Sequence, residues 1–226
     1  MSQKHNGLSH FPNAAFDIVA LGASLGGLKA LSQILSTLPP DFPAGIVIVQ
    51  HLSPRQPSFL AEILKQRTLL KVKQAEAEEL LQPETVYIAP PNKHLLVNSD
   101  RTLSLSDSAQ VHFVRPAVNN LFESVALSFK QRAIAVILTG KEGDGARGVQ
   151  AIKIMGGTVI AQDASSSEAF SMPKAAIDTG SVDFVLPLNQ ISSTLRSLVM
   201  VPVGAGVKKF PDNAAGFSLP HCPGKR

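Results

Sequence analysis

One stretch constrains this chain more than any other. The apolar run Phe16-Asp17-Ile18-Val19-Ala20-Leu21 leads into Gly22-Ala23-Ser24-Leu25-Gly26-Gly27, and Leu28, Leu31, Ile34, Leu35 and Leu38 then recur at helical spacing. The run reads as a buried strand and the spaced leucines as the apolar face of a helix. Glycine lacks a Cβ, so the backbone can turn sharply between them and other atoms can come close. Ser24 therefore stands at a strand-to-helix junction. Backbone N–H groups at a helix start attract negative charge there. Three readings of the turn compete. As G-x-S-x-G it is a nucleophile elbow. As G-x-G-x-x-G with Ser24 in place of the middle glycine it is a degraded dinucleotide-binding turn. In the plainest reading Ser24 only caps the helix.

The same alternation continues. Ala44 to Val49 is a second apolar run ending at Gln50-His51, and a helix follows Pro54 and Pro57 with Phe59, Leu60, Ile63 and Leu64 on its face. Lys71 to Ala75 is a weaker strand, Glu76 to Leu81 a turn or short helix, and Val86 to Ala89 a strand that stops at Pro90-Pro91. His94–Val97 and Thr102–Leu105 read as a hairpin. Pro116 opens a helix carrying Val118, Leu121, Phe122, Val125 and Phe129. Ala133 to Leu138, Thr158 to Ala161 and Val182 to Leu186 are strands; Ala146 to Met155, the segment after Met172-Pro173, and Ile191 to Val199 are helices. The expected fold is α/β: a doubly wound, mostly parallel sheet with helices on both faces and one hairpin insertion. Residues 1–15 are expected to be a flexible lead-in, 16–200 the folded domain, and 201–226 a disordered tail rich in Pro, Gly and Lys.

Composition removes several function classes. With 44% hydrophobic and 17% charged residues in 226, the bulk of the chain can bury a core. The net charge of +4 is scattered and partly in the tail, with no basic helix interleaved with aromatics, so no nucleic-acid partner is expected. The single cysteine, Cys222, excludes an intrachain disulfide framework and fits a reducing compartment. No Cys/His cluster has metal-ligand spacing, no apolar leader opens the chain and no segment is long enough to span a membrane, so a cytoplasmic location without membrane insertion is expected.

In a parallel sheet, sites form beyond the carboxyl ends of the strands. The residues there are Ser24, Gln50-His51, Asp144 and Asp163. A serine hydroxyl needs a base to take its proton, and His51 is placed to be that base. The histidine needs a carboxylate to fix its tautomer. Asp144 and Asp163 both qualify; Asp144 is preferred because Gly140, Gly143 and Gly145 let its loop approach the site, whereas Asp163 equally suits a turn or cap. Arg115 precedes a helix start, where the dipole does not favour a cation, and is a candidate for substrate binding. His94 reads as structural. A dinucleotide site would need an acidic residue at the end of the second strand, where Gln50-His51 stand instead. The order Ser24, His51, Asp144 differs from the serine, acid, histidine order of α/β-hydrolases, which excludes that fold but not the chemistry.

Taken together, Ile18 to Gly27, Ile48-Val49-Gln50-His51-Leu52, Tyr87-Ile88-Ala89-Pro90-Pro91 with His94, Arg115-Pro116-Ala117-Val118, Leu138-Thr139-Gly140 through Asp144-Gly145-Ala146, and Phe170-Ser171-Met172-Pro173 resemble the catalytic domain of the chemotaxis protein-glutamate methylesterase family. The resemblance runs from about residue 16 to 200. It implies hydrolysis of methyl esters on glutamate side chains in the cytoplasmic helical region of chemoreceptors, for sensory adaptation, and in some members deamidation of receptor glutamines. Ser24 would be the nucleophile, His51 the general base, Asp144 its orienting acid, and the backbone N–H of Lys141 an oxyanion donor. No metal or organic cofactor is implied.

Two departures from the family pattern stand out. The usual loop Thr-Gly-Met-Gly-x-Asp-Gly is here Thr139-Gly140-Lys141-Glu142-Gly143-Asp144-Gly145, which puts glutamate where glycine could supply a special conformation. Leu25 stands where threonine is usual. About 15 residues precede the first strand, so no receiver domain is expected within this chain. The alternative function is a receptor-binding module of the same fold, in which the Lys141-Glu142 change has cost the chemistry; a nucleotide-binding domain is the third.

Overall fold

Apolar runs without alternation belong in strands covered on both faces, and this is where the chain puts them. The computed structural model describes residues 10–51, 58–111 and 113–200. The lead-in over 1–9, the approach to the second helix at Pro54 and Pro57, and the tail over 201–226 lie outside the described residues. The strands are β1 (Ile18–Ala23), β2 (Gly45–Gln50), β3 (Lys71–Gln74), β4 (Thr85–Ile88), β5 (His94–Val97), β6 (Leu103–Ser106), β7 (Ala133–Ile137), β8 (Thr158–Gln162) and β9 (Phe184–Leu186). The helices are α1 (Gly27–Leu35), α2 (Leu60–Lys65), α3 (Val118–Phe129), α4 (Ala146–Ile154), α5 (Ser171–Asp178) and α6 (Leu188–Val199).

Seven strands form one parallel sheet in the order β3-β4-β2-β1-β7-β8-β9. The antiparallel pair β5-β6 stands apart as the expected hairpin. Every residue of β1, β2 and β7 is buried. Side chains alternate between two cores: Val19, Leu21 and Ala23 join the core beneath α1, α2 and α6, while Ile18 and Ala20 join the core beneath α3, α4 and the hairpin. Glu76 to Leu81 forms no helix; it holds a turn and one bridge, Leu80 to Thr102.

Residues 10–15 depart from the expected lead-in. Ala14 is fully buried, and the Ala15 amide donates to the Val199 carbonyl at 2.9 Å. The anchor is Asp17, 1% exposed, whose carboxylate accepts from Arg132 Nε at 2.7 Å, the Phe11 amide at 2.9 Å and His10 Nδ1 at 2.8 Å. The guanidinium of Arg101 lies 4.7 Å from the centre of the Phe11 ring. A charged residue inside an apolar run must find partners when the run is buried, and here the partners draw the preceding segment onto the domain.

Candidate active site

The central strand β1 lies between β2 and β7, and each of these three strands delivers one candidate residue past its carboxyl end. Ser24 follows β1, His51 follows β2, and Asp144 sits in the loop between β7 and α4. Register fixes their approach: Ala23 pairs with Gln50, and Gly22 with Ile137. The His51 amide donates to the Ala23 carbonyl at 3.0 Å, which extends the ladder by one residue and seats His51 beside Ser24.

His51 Nε2 lies 2.8 Å from Asp144 Oδ2. Asp144 is 1% exposed, and its carboxylate also accepts from the Val118 amide at 2.6 Å and the Asn119 amide at 3.0 Å. Those amides are the first of α3, so the carboxylate rests on the positive end of that helix. Burial pushes the Asp144 carboxyl up, but the bonds from His51, Asn119 and Val118 outweigh it and hold the carboxyl below its usual range. An ionised carboxylate accepts only, so the proton of the pair sits on Nε2 and the Nδ1 lone pair is left for another donor. Among the described residues, no hydrogen bond joins Ser24 Oγ to the ring.

The turn that carries Ser24 is clamped from β7. The Ser24 amide donates to the Thr139 carbonyl at 3.0 Å, and the Thr139 hydroxyl donates to the Leu25 carbonyl at 2.9 Å. Gln50 Nε2 donates to the Ser24 carbonyl at 2.7 Å. The amide of Ser24 is thus engaged, whereas those of Leu25, Gly26 and Lys141 make no hydrogen bond among the described residues. Gly140, next to Lys141, packs so closely on the nucleophile turn that a Cβ there would lie 2.9 Å from Ser24 Cβ and 2.6 Å from Met172 Sδ. Glu142 adopts φ +67°, the left-handed conformation that glycine takes at little cost and other residues resist.

The remaining candidates are held by bonds of their own. Asp163 accepts from the Ser165 and Ser166 hydroxyls and the Ser166 amide, the turn role that competed for it. The Arg115 guanidinium donates to Asn92 Oδ1 and to the Asp107 and Ser108 carbonyls, so it braces loops near the hairpin. His94 is fully buried. Sequence reasoning missed Asn119, whose Oδ1 accepts from the Gly145 and Gly148 amides at 3.1 and 2.9 Å and so fixes the backbone beside Asp144. A cleft of about 1120 Å³ opens beside Ser24 and His51, with Leu25, Leu28, Phe59 and Ile63 as apolar walls and Lys29 and Glu168 among its polar residues. No described helix is long and apolar enough to cross a membrane.

Comparison with known proteins gives the family of the chain. Residues 19–195 match the family model described as CheB methylesterase. The chain is 41% identical over 177 residues to a putative protein-glutamate methylesterase/protein-glutamine glutaminase of Leptospira interrogans, covering 78% of this chain and 92% of that one. It is 43% identical over 190 residues to the protein-glutamate methylesterase FrzG of Myxococcus xanthus, covering 84% of this chain and 57% of that protein. The crystal structure of the Thermotoga maritima CheB methylesterase catalytic domain superposes with a TM-score of 0.79 at 41% identity, covering 82% of this chain and all of that one. On these matches the chain belongs to the CheB methylesterase family.

Proposed function

We propose that residues 16–200 form a serine esterase domain that hydrolyses glutamate γ-methyl esters on chemoreceptors. The observation that carries this reading is the His51–Asp144 hydrogen bond, 2.8 Å long, in a chain of this family and beside the turn that presents Ser24. His51 Nδ1 takes the proton from Ser24 Oγ as the oxygen attacks the ester carbonyl. Asp144 holds the ring through Nε2 and stabilises the imidazolium that forms. The oxyanion needs donors that are not already engaged. With the Ser24 amide bonded to the Thr139 carbonyl, the Lys141 amide is the donor we assign. Collapse of the intermediate breaks the carbon–methoxy bond, and His51 returns the proton to methoxide to release methanol. Water then attacks the glutamyl-serine ester with His51 again as base, leaving a glutamate carboxylate and free Ser24. A glutamine side chain in the same place would lose ammonia by the same steps.

Methanol release from methylated receptor fragments, compared between wild type and Ser24→Ala, tests the reading. Removal of a triad nucleophile costs on the order of 10⁶ in kcat. Release that disappears in Ser24→Ala is the expected result. A folded wild type that binds the fragments without releasing methanol would instead favour a binding module, and the left-handed Glu142 beside the site is the feature that would then explain it.

A further inference from the structure

The bonds that hold Asp144 depend on where the first turn of α3 lies. That helix has no side-chain cap of its own; its N-cap residue is Ala117. Three leading amides are nevertheless bonded. Val118 and Asn119 donate to Asp144, and Ala117 donates to His94 Nδ1 at 3.1 Å. The far side of the His94 ring is fixed as well, with Nε2 3.1 Å from the Ala109 carbonyl. A carbonyl only accepts and a backbone N–H only donates, so the ring is neutral with its proton on Nε2 and its lone pair on Nδ1. His94 and Asp144 share the capping of one helix, one reaching it from β5 and the other from the loop after β7.

We infer that His94 is a positioning residue of the esterase site: by accepting the Ala117 N–H it sets the start of α3, and through it the two amides that aim the Asp144 carboxylate at His51. The inference rests on the proposed esterase reading. Loss of the acceptor frees the Ala117 end of the turn, and Asp144 moves with the amides it is bonded to. A displacement of about 1 Å in such a group costs about 100-fold in rate.

The two ring nitrogens can be separated by substitution. His94→Asn keeps an acceptor near the Nδ1 position and gives up the Nε2 contact. His94→Gln keeps a donor near Nε2 and gives up the Nδ1 contact. His94→Leu removes both. The expected result is that His94→Gln and His94→Leu lower kcat about 10- to 100-fold with KM unchanged, while His94→Asn restores most of kcat. The slowly exchanging ring proton shared by His51 and Asp144, read by NMR on the folded proteins, should weaken in His94→Gln and persist in His94→Asn. If His94→Leu fails to fold, the Asn and Gln pair still decides. Equal kcat in Asn and Gln, or an unchanged His51 proton signal in Gln, overturns the proposal. The NMR signal needs no turnover, so it judges His94 even where wild type releases no methanol and the esterase reading fails.

Discussion

Asp144 and Asn119 cap each other's helices. Asp144, just ahead of α4, accepts from amides that open α3, and Asn119, in the first turn of α3, accepts from the Gly145 and Gly148 amides at the start of α4. Both residues are 1% exposed. Asn119→Ala leaves two buried amides unpaired and is expected to cost about 1–2 kcal/mol, measured by urea unfolding. Because the same bonds fix the backbone beside Asp144, kcat for methanol release should also fall. A stability loss with kcat intact would show that the Asp144 loop is held without Asn119.

Gly140→Ala tests the closeness of the β7 loop to the nucleophile. Its methyl would lie 2.9 Å from Ser24 Cβ and 2.6 Å from the Met172 sulfur, so both contacts must open. We expect kcat to fall by about 100-fold if Ser24 yields, with only a small change in melting temperature. Kinetics alongside a thermal melt separate this from general unfolding.

Glu142→Gly should stabilise the protein. Glu142 holds φ +67°, a conformation that costs an L-residue about 1–2 kcal/mol. Glycine forfeits part of that gain through its greater freedom in the unfolded chain, so a net gain of about 0.5–1 kcal/mol is expected by denaturant titration. Unchanged or lower stability would mean that the glutamate side chain supplies a compensating interaction.

Acid should weaken the fold through Asp144. Its folded pKa lies below the ordinary value of 3.8, because the bonds from His51 and the α3 amides outweigh burial. A depressed carboxyl contributes stability that is fully present above the unfolded pKa and is lost as pH falls through the folded one. Unfolding free energy measured from pH 6 down to pH 2 should therefore decline less steeply in Asp144→Asn than in wild type.

Asp17 allows a stability test remote from the chemistry. It lies at the amino end of β1, opposite Ser24, and is bonded to Arg132 and His10. Asp17→Ala leaves the Arg132 guanidinium with the Ala14 carbonyl as its remaining partner and is expected to cost about 3 kcal/mol in thermal or urea unfolding. Activity of the protein that remains folded at low temperature should be unaltered.

Much of this is legible in the sequence alone. The runs from Phe16, Ala44 and Ala133 and the helical spacing after Gly27 and Pro116 are periodic signals, and they correspond to β1, β2, β7, α1 and α3. Ser24, His51 and Asp144 stood out because each follows a strong strand. The caps did not stand out. Asn119 is 26 residues from Gly145, and His94 is 23 from Ala117, so neither bond leaves a local pattern. The Asn92 side chain that accepts from Arg115 is 23 residues away and leaves no local pattern either. Residues 10–15 looked polar and free because the partners of Asp17 come from as far away as Arg132.

The His51–Asp144 bond joins residues 93 apart in the chain. A pocket built this way has no local precursor. During refolding or synthesis, β1, α1 and β2 can form early from near neighbours, yet the base stays without its carboxylate until β7 has docked against β1 across the whole intervening stretch of chain. Ester hydrolysis should therefore appear no earlier than the docking of β7 against β1, which makes turnover a report that the centre of the sheet has assembled.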